Sequence, residues 1–458
     1  MSQYRSRRSE KMVSIRIQAA IFFLLCCMGG CLGGGSSNST STDDSIPADR
    51  LDDDLSQGWE GISLEHTQAG GMLSTHVKAV ADSVHQAHVV FFTDSSETSG
   101  QYSLNHLIVD LDTYTVVSRN TVVEVDNCRT LSLTIGDGDV PVVAYQGGEI
   151  RQGGSEQQSD VMFSIFTNGL WDEYTGGIGY VERNPVFEDG LAGKHVSTAV
   201  DTEGNIHLCY QFFYEGIDAM NFNYPDLLYV KKDGTSPEIP CVEETVEGNL
   251  YNANGTASEQ NAVGEYAQLI LDSQENPVIF YAADLDPDSS EPSSKGLRVA
   301  RKSGGSWTSE WIESGVEVAG ISCARRPQGD LAVAYYVEGE YADSMGVHSH
   351  CLKYAVEQGD SWSIMMVDES TWCGRYPALA FDEVSNPGIA YYSLQNHSGS
   401  RILKDLKCAV WDGVSWSSEV VASAGDIGLY NSLWFDEGST PYICTYSRTY
   451  QTIYLFHR

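Results

Sequence analysis

Tyr376-Pro-Ala-Leu-Ala-Phe-Asp382 leads through a turn into a second apolar run that ends in Tyr391. Small and apolar residues fill the first run, Asp and Asn hold the turn, and the second run ends on an aromatic ring. That pattern predicts a β-hairpin. Six further stretches follow the same plan: His76 to Phe91, Thr130 to Tyr145, His195 to Tyr210, Tyr266 to Tyr281, Gly320 to Tyr335 and Tyr430 to Thr445. Their turn positions are Asp82, Gly136, Asp201, Asp272, Arg326 and Asp436. The end residues recur at steps of about 54 residues, with longer steps after Tyr145 and Tyr210 that mark insertions.

Each hairpin precedes a third apolar run, such as Leu297-Arg-Val-Ala300, Leu352-Lys-Tyr-Ala355 and Leu406-Lys-Cys-Ala409. Gly-x-Ser-Trp turns at Trp307, Trp362 and Trp416 then open a fourth run. Four short antiparallel strands per unit are the content of a propeller blade. The chain is therefore expected to be all-β, a seven-bladed β-propeller over residues 57–458. The seventh unit supplies only three strands, ending in Thr452-Ile-Tyr-Leu-Phe456. Residues 58–64 precede the first unit and repeat the fourth-strand pattern, with Trp59 in the tryptophan position. The N-terminal strand is thus expected to complete the last blade and close the ring. An open solenoid gives no reason for one missing and one spare strand.

On these repeats the chain resembles bacterial seven-bladed propellers of the sialidase-like or BNR-like kind, over about residues 57–458. The Gly-x-Ser-Trp turns resemble the tail of the sialidase Asp box but lack its Asp; Lys302, Glu357 and Trp411 stand there. The resemblance implies blade construction and transfers no activity. For the tryptophans it leaves packing between blades as the expected role.

The N-terminus reads as an address. Arg5, Arg7, Arg8, Lys11 and Arg16 precede the apolar run from Ala19 to Met28, which is short for a bilayer span. Met28-Gly-Gly-Cys31 resembles the bacterial lipobox, in which a cysteine is lipidated and becomes the new N-terminus; a plain signal peptide is the alternative. Residues 1–30 are expected to be a lipoprotein signal peptide, and residues 31–56, rich in Gly, Ser, Thr and Asp, a flexible tether. Leu32, in place of an Asp after the cysteine, implies the outer membrane by the enterobacterial sorting rule. The expected location is the bacterial cell envelope, as an outer membrane-anchored monomer, periplasmic or at the surface.

Lys and Arg total 27 against 63 Asp and Glu, a net charge of −36. Such a surface argues against nucleic acid as a partner, because phosphate binding needs cations. It suits salty or calcium-containing surroundings, or simple solubility.

Long second-to-third connections (Thr93–Tyr102, Gln146–Ser159, Phe212–Tyr224, Asp284–Lys295, Val337–His350, Ser393–Ser400) and insertions near Gly176–Lys194 and Cys241–Gly264 all fall on one rim of a propeller. That rim is the expected binding face. Six residues before the turn positions stand His76, Thr130, His195, Tyr266, Gly320, Tyr376 and Tyr430, and just before four of them Arg129, Lys194, Glu265 and Arg375. These are expected at the channel mouth, where His76, His195, Tyr266, Tyr376 and Tyr430 offer stacking surfaces and Arg129 and Arg375 can hold a carboxylate. A water-filled pore whose lining satisfies itself is the alternative. Asp284, Asp286, Asp288 and Glu291 supply the oxygens that calcium requires, although the loop is no EF-hand and also reads as a solvated acidic turn.

His348, His350 and Cys351 lack a second ligand group at a familiar zinc spacing and read as loop residues. Cys209, Cys323, Cys408 and Cys444 fall inside strand patterns and read as buried thiols; Cys128, Cys241, Cys351 and Cys373 lie near strand ends, and pairing among them stays open. No Gly-x-Ser-x-Gly elbow, His-Glu-x-x-His motif or P-loop occurs. A sialidase would need three arginines converging on a carboxylate; Arg129, Arg326 and Arg375, with Tyr376 or Tyr430 and Glu265, are the residues available. The expected function is binding of a glycan, peptide or envelope protein on the long-connection rim. The alternative is a glycoside hydrolase or polysaccharide lyase with its site at the channel mouth.

Overall fold

The computed structural model describes residues 55–66, 76–94, 101–126, 130–147, 160–177, 190–214, 225–234, 241–248, 261–287, 292–340, 350–370, 372–397, 401–423 and 425–458. They belong to one unit, 48–458. The structure is all-β: seven four-stranded antiparallel sheets, with a single 3-10 turn at Pro292–Ser294 among the described residues. The inner strands of blades 1 to 7 are Val77–Ala81, Leu131–Gly136, Gly190–Val200, Ala262–Leu271, Val316–Arg325, Cys373–Phe381 and Ile427–Phe435. Each neighbours the next around a ring, and that of blade 7 returns to that of blade 1. Apolar side chains from adjacent blades fill the layers between sheets, as Val77, Val89 and Leu107 of blade 1 do against Leu429, Cys444 and Leu455 of blade 7.

Glu60–His66 is the outer strand of blade 7, antiparallel to Thr452–His457, with Glu60 opposite His457 and His66 opposite Thr452. Trp59, only 5% exposed, lies just ahead of that strand and packs among Ala390, Cys408 and Val421 of blade 6. Its Nε1 donates to Glu419 at 3.0 Å, and Arg458 Nη1 holds the same carboxylate at 2.8 Å. The first and last parts of the fold are thus pinned to one side chain. Trp307, Trp362 and Trp416 repeat the device, resting on Tyr229, Phe280 and Tyr354 of the preceding blades.

The repeated Asp is a turn cap. Asp82, Asp201, Asp272, Asp382 and Asp436 each accept, through Oδ1, the backbone N–H groups two and four residues on. This satisfies donors that a tight hairpin leaves over. The buried tyrosines within the second strands also have structural partners. Tyr281, Tyr335 and Tyr391 donate to Glu247, Glu313 and Asp368 on the outer strand of the preceding blade. Arg298, Lys353 and Lys407 on the third strands complete these pairs. Carboxylate, cation and hydroxyl satisfy one another where an isolated charge would be costly.

Two expectations are corrected. Cys241–Gly264 is not wholly an insertion: Val242–Glu247 is the outer strand of blade 3, in which only Val246 is buried. Its charged residues suit an exposed edge and hide the strand pattern. Lys232, which ends the third strand, and Val242, which begins the fourth, therefore stand on the rim of short turns. Ser393–Ser400 is not simply a loop either, because the hairpin continues up to the pair His397 and Arg401.

Candidate functional site at the channel mouth

Each inner strand descends from the rim of long connections to its hairpin turn, so the residue six before the turn stands on the rim side, at the mouth of the channel. The rings there meet in two groups. His76, Tyr430 and Tyr376 form one, with centroids 4.3 Å apart for His76 and Tyr430 and 4.7 Å for Tyr430 and Tyr376. His195 and Tyr266 form the other, 4.8 Å apart. Thr130 and Gly320 carry no ring and stand between the groups. Arg129 lies outside the described residues.

A bulge places these rings. The ladder between first and second strands slips at Lys194–Ser197, Glu265–Gln268, Arg375–Ala378 and Leu429–Ser432. Inside each slip His195, Tyr266, Tyr376 and Tyr430 have φ of 52°, 54°, 52° and 56°. Bulky L-residues rarely adopt this left-handed conformation, and where they do a functional role is a reasonable question. Two residues earlier stand Gly193, Gly264, Gly374 and Gly428, all with positive φ. At Gly374 a Cβ would come within 2.8 Å of Leu352 Cβ on the preceding blade, so glycine is required there. Two residues after the mouth position, Ser132, Ser197, Ser322 and Ser432 each accept a backbone N–H from the next blade, at 2.9–3.1 Å. The Ser432 bond, to Ala79, joins blade 7 to blade 1.

The imidazoles at the mouth are neutral at neutral pH. Burial, with Lys78 and His195 nearby, brings His76 down to about 3. Burial and Lys194 bring His195 down to about 4. Desolvation raises the Glu265 carboxyl, and Glu317 and Glu338 add to it against Lys194.

Outside the rings, over blades 5 and 6, Arg375 pairs with Glu338 at 2.5 Å. The guanidinium lies 5.5 Å from the Tyr336 ring and 5.9 Å from the Trp372 ring. Trp372, at φ 66°, stacks on His350 with centroids 3.8 Å apart, and His350 Nδ1 is 2.9 Å from the Tyr336 hydroxyl. Between blades 6 and 7 the buried Asp426 binds Lys404 at 2.7 Å and Arg448 at 3.2 Å, and accepts from Tyr392 at 3.0 Å. None of Glu338, Trp372, Asp426 and Arg448 was singled out by sequence reasoning. The Gly-x-ring triplets at 193–195, 264–266, 374–376 and 428–430 were the available signal.

Other expectations fare differently. Arg326 does not converge with Arg375: it sits in the blade 5 turn, 3.6 Å from Asp330, at the opposite end of its strand. A carboxylate-binding arginine triad therefore has no basis. Arg375 already holds Glu338. Asp284 accepts from Ser294 at 3.0 Å and lies 3.7 Å from Lys295, and Asp286 is exposed. Asp288, Glu291, His348, Cys31 and Cys128 lie outside the described residues. Among those described, no three His, Cys, Asp or Glu side chains gather as a metal would need. Burial pushes the thiols of Cys323, Cys408 and Cys444 up to about 12 and that of Cys209 higher still, as buried thiols require.

No protein-family model matches the sequence, and no curated protein matches it. Solved structures do resemble it. An ulvan lyase from a new family of polysaccharide lyases superposes with a TM-score of 0.50 at 9% identity, over 83% of this chain and 93% of that one. A protein of unknown function from Dyadobacter fermentans gives 0.49 at 11%, over 80% of this chain and all of that one. A leech intramolecular trans-sialidase gives 0.42 at 10%, over 78% and 79%. At these identities the likeness is one of architecture alone.

Proposed function

We propose that this protein binds a glycan at the channel mouth, on the rim of long connections, while a lipid on Cys31 holds it to a bacterial outer membrane. The reading rests on one observation: five rings stand at a single register position, and four of them sit on left-handed backbone that a glycine would adopt without strain. Aromatic faces stack on the apolar faces of sugars, while Glu265 and Glu338 can accept from hydroxyls. The similar ulvan lyase, a propeller that acts on a polysaccharide, agrees with this choice over a peptide or protein partner.

The full chain in detergent, applied to glycan and peptide arrays, tests the reading. Binding to glycans that Tyr430→Ala and Tyr376→Ala abolish supports it, and binding confined to peptides refutes it. Cys31→Ala should move the protein out of the membrane fraction. A catalytic reading rests on geometry alone: His76 and His195 lie against Tyr430 and Tyr266 at the mouth, where their ring nitrogens could orient a substrate hydroxyl, although imidazoles brought down to about 3 and 4 are weak bases at neutral pH. New reducing or unsaturated ends from a bound glycan, lost in His76→Gln or His195→Gln, would establish it.

A further inference from the structure

Seven positions ring the mouth, and two of them are small. Thr130 of blade 2 turns its hydroxyl onto the Gly193 carbonyl at 2.6 Å, and Gly320 of blade 5 has no side chain. In a seven-bladed ring these positions stand about 150° apart around the axis, nearly opposite one another. The rings of blades 6, 7 and 1 then make one wall and those of blades 3 and 4 the other. Among the described residues the mouth is walled on two sides and low at both ends, which makes a slot, whereas a pocket for a chain end needs one end blocked.

The slot continues beyond Gly320. Over blades 5 and 6 the stacked Trp372 and His350 present a further aromatic platform outside the ring. Like four of the five mouth rings, Trp372 sits on left-handed backbone. The cations nearby are matched by carboxylates: Arg375 by Glu338, and Lys404 and Arg448 by Asp426. With a net charge of −36 on the whole chain, a polyanion would be repelled at long range and would find those cations occupied, while Lys78 and Lys194 stand beside His76 and His195.

Building on the glycan reading above, we infer that the mouth takes an internal stretch of a linear, uncharged polysaccharide, laid across the axis between Thr130 and Gly320 and continuing over Trp372. Oligosaccharide and polymer fractions of glucan, mannan, xylan and arabinan, with polygalacturonate as the charged comparison, are titrated against the full chain in detergent. An internal site predicts equal midpoints per mass of glycan for all fractions longer than the slot. Trp372→Gly relieves the strained backbone while removing the ring. It should weaken binding of long fragments about three- to tenfold and leave trisaccharides unchanged. Midpoints that follow the number of chain ends would overturn the slot and leave glycan binding intact. So would a Trp372→Gly variant that binds long fragments as well as the parent does. Preference for polygalacturonate would overturn the uncharged ligand. Absence of binding to all five would overturn the glycan reading itself.

Discussion

Replacing His195, Tyr266, Tyr376 and Tyr430 together by glycine should leave a more stable protein than replacing all four by alanine. In an ordinary strand the order is the reverse, because glycine costs about 0.5–1 kcal/mol relative to alanine. Here each backbone sits at φ between 52° and 56°. An alanine there keeps the left-handed penalty of about 1–2 kcal/mol, and a glycine has none. Subtracting the greater freedom of glycine in the unfolded chain leaves about 0.5–1 kcal/mol per position in its favour. Both variants lose the same ring contacts, so coupling between neighbours cancels in the comparison. Over four positions the difference is about 2–4 kcal/mol. With an unfolding entropy of about 2 cal/mol/K per residue over roughly 400 residues, it corresponds to about 3–5 °C in Tm. Calorimetry of the two variants measures it. A glycine variant melting at or below the alanine variant would show that the bulges impose no strain, and the case for rings held there for a ligand would fail.

Three further outcomes follow from particular contacts. His106, fully buried and 2.9 Å from His88, is brought down to about 3 by burial and then by His88, so below pH about 6.5 the unfolded chain takes up a proton that the folded one refuses. Stability should fall as pH drops from about 6.5 towards 3, by about 2 kcal/mol at pH 5 from this residue alone, and His106→Gln should flatten the denaturation midpoint against pH by one proton. Ser432→Ala strands the Ala79 N–H at the joint of blades 7 and 1 and should cost about 1–3 kcal/mol in urea unfolding, as should Ser197→Ala at the joint of blades 3 and 4. Trp59→Ala removes the anchor of the closing strand and its bond to Glu419; a loss of about 3–5 kcal/mol and faster proteolytic cleavage before Glu60 are expected, and unchanged protease resistance would show that closure does not depend on it.

The parts of the fold legible in the sequence are those whose physics is local. An Asp caps a turn through N–H groups two and four residues away, so it recurs at a fixed offset and can be seen in one dimension. The fourth-run tryptophans recur because each blade rests on the one before it, which made Trp59 recognisable far from its sheet. Val242–Glu247 hides its strand pattern because an outer strand buries little: two valines among three glutamates and a threonine, with only Val246 buried, give no alternation. The acid–base pairs of the mouth were invisible for another reason. Asp426 and Arg448 come together only across a blade, and Arg375 meets Glu338 only because two sheets lie side by side.

The mouth positions themselves were legible as an offset, but their backbone was not, because a glycine inside a strand pattern reads as a weakness rather than as half of a bulge. That half changes what the rings mean. A repeated feature of a propeller is explained by the fold when it satisfies the blade, as the turn Asp and the serine bonds do. Tyr266, Tyr376 and Tyr430 also pack against the cores between blades, but that packing does not require left-handed backbone. Glycine would adopt their conformation without penalty, and blade 5 builds its joint with Gly320 and its Ser322 bond without any ring. His195, Tyr266, Tyr376 and Tyr430 therefore carry about 1–2 kcal/mol of strain apiece that blades 2 and 5, with Thr130 and Gly320, do without. That cost is the ground for the glycan proposed above the mouth, and on the same proposal the two positions without rings, Thr130 and Gly320, set which way it runs.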